Sequence, residues 1–238
     1  MKKQLFRLAL STALSSAIGA QAAIITFEGS APGLLGMGDF FVESGFHIEP
    51  FSNQAGAQLG DLVGAIVDGA DVANTCASVA CPTNNTTHFY TALNDSVLYL
   101  AADDDSAFTL KGFDASFVGA GGDVFASTTL ILRIQGTKVG GGTMTASFNL
   151  PGPTAGAFSF QSFATTGAYA AQEFTEAQIF GLACDEAGRC SAFTSDKGQF
   201  ALDNIDISVN AVPEPSQWLL VGVALAALGA STRRRNAA

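Results

Sequence analysis

Between Thr143 and Leu150 the chain alternates without a break. Met144, Ala146, Phe148 and Leu150 fall on one side, and Thr143, Thr145, Ser147 and Asn149 on the other. A period of two puts one face on a core and the other in water only if the segment is a β-strand. Short stretches rich in Phe, Thr, Ser and Val recur along the chain, and no long amphipathic helical pattern competes with them. Strands are expected at 24–28, 40–48, 62–67, 96–101, 108–118, 130–135, 143–150, 157–163, 174–180 and 199–209. Helical character is confined to 55–62 and a turn around 174–177. In 199–209 neither face is purely apolar at its start, which predicts a bulge near Asp203. Gly119-Ala120-Gly121-Gly122-Asp123 and Gly140-Gly141-Gly142 supply positive φ for tight reversals, and Pro151-Gly152-Pro153 is a loop no central strand could contain. About ten short strands of this kind predict an all-β domain, a two-sheet β-sandwich of jelly-roll type, over residues 23–210.

The two ends read differently. Lys2, Lys3 and Arg7 precede an apolar stretch that ends in Ala20-Gln21-Ala22. A basic head, a short apolar core and a small-x-small site predict a signal peptide for the Sec translocon over 1–22, with Ala20 and Ala22 at the cleavage site. At the other end, residues 211–238 hold Pro213-Glu214-Pro215, 13 apolar or glycine residues from Trp218 to Ala230, then Arg233-Arg234-Arg235. The run is short against the roughly 20 residues of a comfortable bilayer span. Trp218 at one end and arginines at the other nonetheless predict a short transmembrane helix, with the arginines cytoplasmic and the body outside.

That order resembles the PEP-CTERM sorting signal of Gram-negative bacteria. The resemblance implies an exosortase, a membrane cysteine protease, as partner. It also implies Pro213, Glu214 and Pro215 as the recognition element and Arg233, Arg234 and Arg235 as the cytoplasmic stop. Prolines suit the role, since they bar helix and keep a peptide extended. The expected course is export, transient anchoring in the inner membrane, processing, then residence at the cell surface or in a biofilm's extracellular polysaccharide matrix. The resemblance covers about a tenth of the chain, and proteins sharing this tail have many different bodies.

The full chain carries 11 basic and 21 acidic residues. Without the six basic residues of the two ends and without Glu214, 5 basic face 20 acidic, a net −15. Such a body repels nucleic acid and anionic lipid, and suits solubility and cation binding. Four cysteines allow three disulfide connectivities; pairing by proximity, Cys76 with Cys81 and Cys184 with Cys190, is the simplest. Export permits disulfides, and neither pair has zinc spacing with a nearby histidine.

A second resemblance lies in Ile24-Ile25-Thr26-Phe27-Glu28-Gly29, Ser44-Gly45-Phe46 and Phe200-Ala201-Leu202-Asp203-Asn204-Ile205. These are similar to the first and last strands of carbohydrate-binding-module jelly rolls, whose chain ends pair and often hold a structural Ca²⁺. Glu28 and Asp203 are the candidate calcium ligands, with Asn204 and backbone carbonyls completing an oxygen set; the alternative is that Asp203-Asn204 bonds its own backbone at a bulge. Asp103-Asp104-Asp105 lacks the spacing of a calcium loop and reads as a turn. His47 and His88 are the only histidines, and no Gly-x-Ser-x-Gly or His-Glu-x-x-His motif accompanies them. The body is therefore expected to be no enzyme. The alternatives are a glycan binder, which would cluster exposed tyrosines (Tyr90, Tyr99, Tyr169) on one sheet face, and a secreted hydrolase, which would converge two acids in a cleft. Asn84, Asn85 and Asn94 begin Asn-x-Ser/Thr sequences.

Overall fold

A computed structural model describes residues 21–76, 79–119, 130–185, 187–194 and 197–209, with 222 and 225 in the tail. Ala22–Val209 forms one compact unit. Its strands are β1 (Gln21–Ile25), β2 (Gly33–Gly36), β3 (Phe41–Glu43), β4 (Phe46–Ser52), β5 (Leu62–Asp68), β6 (His88–Ala92), β7 (Ser96–Ala102), β8 (Phe108–Phe117), β9 (Leu130–Lys138), β10 (Thr143–Leu150), β11 (Gln161–Ala164), β12 (Phe174–Cys184), β13 (Cys190–Ser191) and β14 (Phe200–Val209). Among the described residues of the body, helix is limited to Gly69–Asp71, Val72–Thr75 and Gly167–Ala170. Of the expected helix 55–62, residues 55–61 form turns and loop and Leu62 opens β5; Gly56 and Gly60 both take positive φ there, which breaks a right-handed helix. Residues 174–177 are strand.

The fourteen described strands share one hydrogen-bonded network of two arrays, joined at the pair Phe108–Phe174. The first runs β11-β8-β14-β6-β5-β2, and the second β10-β9-β12-β7-β4-β3. Their inner faces meet in one core. Phe46 of the second array sits edge-on to Phe108 of the first at 5.2 Å, and Phe113 of the first to Phe148 of the second at 4.9 Å. Burying each such ring stabilises the fold by about 1.5–3 kcal/mol. The architecture is all-β and sandwich-like. β1 pairs with β14, so the first and last strands of the body lie side by side.

The expected bulge is present. β14 holds register with β8 to Asp203↔Asp114, then shifts so that Asp206 faces Gly112. Phe200 and Leu202 point into the core before the bulge, Ile205 and Ile207 after it. The extra residue thus corrects a sequence whose apolar positions change parity halfway. Asn204 sits at the bulge with φ 49°, a left-handed value that Asn accepts more readily than most residues. Gly140, Gly141 and Gly142 have φ of 87°, 101° and 76°, the reversal expected of them. Asn94 and Asp95, with φ 54° and 50°, turn the chain from β6 in one array to β7 in the other.

The cysteines pair by proximity, Cys76 with Cys81 and Cys184 with Cys190. Ala22 lies in β1, while Ala20, the Pro213-Glu214-Pro215 segment, Arg233–Arg235 and, but for Gly222 and Leu225, the expected transmembrane helix lie outside the described residues. Among the described residues no helix is long and apolar enough to cross a membrane.

Candidate functional site

Two surfaces of the sandwich gather polar chemistry. The first is a cleft of about 320 Å³ on the outer side of the first array, lined by residues 84–87, Asp114, residues 160–162, Asp203 and Asn204. Asp203 and Asp114 stand directly opposite each other on β14 and β8. Like charges so placed normally destabilise a sheet. Here neutral donors surround them. Asp203 Oδ2 accepts from Asn85 Nδ2 at 2.7 Å and from the Thr87 hydroxyl at 3.2 Å, and its Oδ1 accepts from the Asn204 backbone N–H at 2.7 Å. Asp114 accepts from the Ser162 hydroxyl at 2.5 Å and from Asn204 Nδ2 at 2.9 Å. Burial pushes the Asp203 carboxyl above the usual range, the Asp114 charge adds to this, and the hydrogen bonds from Asn85, Asn204 and Thr87 oppose it.

Glu28 does not share these partners. Its Oε1 accepts the His88 backbone N–H at 2.7 Å, and the His88 ring lies 3.9 Å from its other oxygen. Glu28 and Asp203 therefore grip the two ends of the segment 85–88 rather than each other. Among the described residues no group of three or more His, Cys, Asp or Glu side chains is arranged to hold a metal. The carboxylate that ties down the first strand's exit is instead Glu43, which sequence reasoning passed over. Its Oε1 accepts the backbone N–H groups of Thr26 at 2.8 Å and Phe27 at 3.0 Å.

The second surface is the outer face of the second array. Across it, Glu49, Tyr99, Gln178, Gln135 and Thr145 form one cross-strand row on five adjacent strands. The next row contains His47, Ala101, Glu176 and Thr137. Tyr99 donates to Glu176 Oε2 at 3.1 Å, and Thr137 donates to Glu176 Oε1 at 2.8 Å. The His47 ring stacks on Phe40 at 4.8 Å, stands edge-on to Tyr99 at 6.3 Å, and lies 3.5 Å from Glu49. Partial burial pushes the Tyr99 hydroxyl up to about 12, helped by its bond to Glu176 and by the charges of Glu176, Glu49 and Asp105.

The remaining sequence candidates resolve into structure. Tyr90 and Tyr169 are buried, so no tyrosine cluster forms on a face. Among the described residues neither histidine ring bonds a serine hydroxyl; His88 Nδ1 meets the Ser30 carbonyl at 3.1 Å. Asp104 accepts from the Ser106 N–H, as a turn residue does. The amides of Asn84, Asn85 and Asn94 donate to the Phe160 carbonyl, to Asp203 and to the Leu62 carbonyl.

Residues 211–235 match the model of the PEP-CTERM protein-sorting motif. The chain carries this sorting signal. The match spans the tail alone and leaves the body unassigned. No curated protein matches the chain. Among solved structures, a DUF4465 family protein from Bacteroides caccae is similar at 12% identity and a TM-score of 0.46, covering 79% of this chain and 98% of its own. The enzymatically active domain of tailspike protein 4 of bacteriophage CBA120 shows 13% identity and a TM-score of 0.32, over 70% of this chain and 19% of its own. TmCBM61, solved with β-1,4-galactotriose, shows 7% identity and a TM-score of 0.30, over 68% and 86%. Likenesses this distant carry no argument about what the body does.

Proposed function

We propose that this is an exported protein whose PEP-CTERM tail is processed by an exosortase, and whose acidic sandwich serves without catalysis at the cell surface or in an extracellular polysaccharide matrix. The observation that carries the reading is the motif at 211–235. Residues 1–22 direct the chain to the Sec translocon. The apolar run from Trp218 holds it in the inner membrane, with Arg233, Arg234 and Arg235 retained on the cytoplasmic side. Pro213 and Pro215 keep the peptide between body and membrane extended, the form a protease cleft accepts. Processing then frees the body from its anchor. The jelly-roll reading of the fold rests on the antiparallel arrays and the pairing of first and last strands. In support of a non-catalytic body, the Asp114–Asp203 pair is held by neutral donors that belong to the fold itself.

The test is the intact mass of the protein from cells and from medium of its native host. A chain starting near Ala23 and ending between Pro213 and Ser216 supports the reading. A chain that keeps Arg233–Arg235 wherever it is found overturns it, because the tail would then be a permanent anchor.

A second reading is a glycan-binding body. The uncovered row on the second array favours it, since carboxylate, ring and amide groups repeat from strand to strand.

A further inference from the structure

Around Tyr99 the outer face of the second array is not neutral. Glu49 is its direct cross-strand neighbour on one side, and Glu176 accepts its hydroxyl proton. Among the described residues, the basic side chain placed against this pair is the His47 imidazole, at Glu49. Two carboxylates about a half-exposed aromatic ring make a place where an ammonium group is attracted twice, by the charges and by the ring face. On the far side of Tyr99, Gln178 and Gln135 continue the row with amide groups. Neighbouring side chains in such a row stand about 4.8 Å apart, the spacing of strands in a sheet. That repeat is close to the advance of one sugar ring in an extended glycan. A basic peptide would more naturally add to an exposed sheet edge than lie across five strands.

We propose that the face carrying Glu49, Tyr99, Glu176, Gln178 and Gln135 binds an amine-bearing glycan, its ammonium groups at Tyr99 among the carboxylates and its hydroxyls on the glutamine amides. The inference rests on the glycan-binding reading and adds the charge of the ligand. Complementarity of charge argues for this occupant, because a body of net −15 repels anionic polysaccharide and draws a cationic one. Binding should weaken with salt, as the Debye length shortens.

The test uses the full chain in detergent with partly deacetylated chitosan oligomers, the same oligomers fully N-acetylated, and poly-lysine. Binding to the amine-bearing oligomers but not the acetylated ones is expected. Glu176→Gln and Glu49→Gln should each weaken it about two- to fivefold. Asp206→Asn, on the other array, should leave it unchanged. Thermal melts confirm that each variant folds, and having two carboxylate variants guards against the loss of one. Equal binding of both oligomers overturns the inference and leaves the glycan reading standing. Binding of neither overturns both. Tighter binding of poly-lysine than of either oligomer reassigns the face to a basic peptide. Unchanged affinity in both glutamine variants places any binding elsewhere and also overturns the proposal.

Discussion

The outer faces of the two arrays begin from the same strand alternation and end differently. On the second array β9 shows buried and half-exposed residues in strict turn, and its outer side chains remain accessible. On the first, β5 is buried from Val63 through Val67 and β6 from Phe89 through Ala92. There the outward residues Ala65, Val67, Phe89 and Ala201 form a second apolar cluster with Cys76 and Cys81. Val72 and Val79, from the Cys76–Cys81 region, and Phe160 pack over them. The Cys76–Cys81 disulfide closes this cover, and paired backbone bonds between Ala80 and Gly119 at 2.8 and 3.0 Å fasten it to the rim. A sheet covered on both faces reads as a continuous apolar run, and a half-covered one alternates. The cover therefore closes the β5–β6 side of the first array's outer face and leaves the Asp114–Asp203 cleft beside it open.

The largest expected effect separates the two faces directly. Phe89→Ala empties a fully buried site under the cover and should cost about 3–5 kcal/mol in chemical denaturation. A loss below about 1 kcal/mol would mean that the cover is loosely packed and the comparison fails. Next, replacing Cys76 and Cys81 together by Ser should cost about 2 kcal/mol, the loop-closure value for so short a loop, and should open the cover to proteolysis before the rest of the body unfolds. Simultaneous cleavage throughout would show that the cover is not a separate unit.

A smaller effect concerns pH. Asp203, beside the cover, has its carboxyl pKa raised chiefly by burial. The folded chain then holds this proton more tightly than the unfolded one. The group therefore costs stability above its folded pKa, and that cost is lifted as pH falls through it. Asp104 is shifted down by its hydrogen bonds from Ser106, and Asp185 by those from Arg189, so both lose stabilisation as pH falls through their folded values. Carboxyl ¹³C titration should find Asp203 above the usual aspartate value and the other two below it. The reverse order would mean that the cleft is wetter than its packing implies. The smallest effect is on the open face: Gln178→Ala should change stability by no more than about 0.5 kcal/mol, because the site owes its form to exposure rather than to packing. A larger loss would show that this face is itself covered.

The β-class of the body was legible from local pattern alone. Alternation at 143–150, the glycine reversal at 140–142 and the parity change that forces a bulge after Asp203 are all consequences of residues a few positions apart. The sorting tail was legible for the same reason, as it is a linear signal read before or apart from folding. Strands β2, β6 and β13 were missed. Gly33–Gly36 and Cys190–Ser191 are too short to show a period, and His88–Ala92 is buried on both faces and so shows none. The cleft was not legible either. Asp203 meets Asn85 across 118 residues, and Asp114 meets Asn204 across 90. Asn84 and Asn85 read in the sequence as the start of a modification signal, when their amides are structural donors.

The sequence by itself determined the tail, the strand-forming segments, the turns and the pairing of neighbouring cysteines, because each depends on short-range geometry. Only the tertiary structure decided that Glu28 and Asp203 hold opposite ends of one segment, that a disulfide-closed loop hides part of one outer face, and that Tyr99 stands between Glu49 and Glu176. Those are relations between strands distant in the chain, set by which array each strand joins, and side-chain alternation within one strand carries no record of its neighbours.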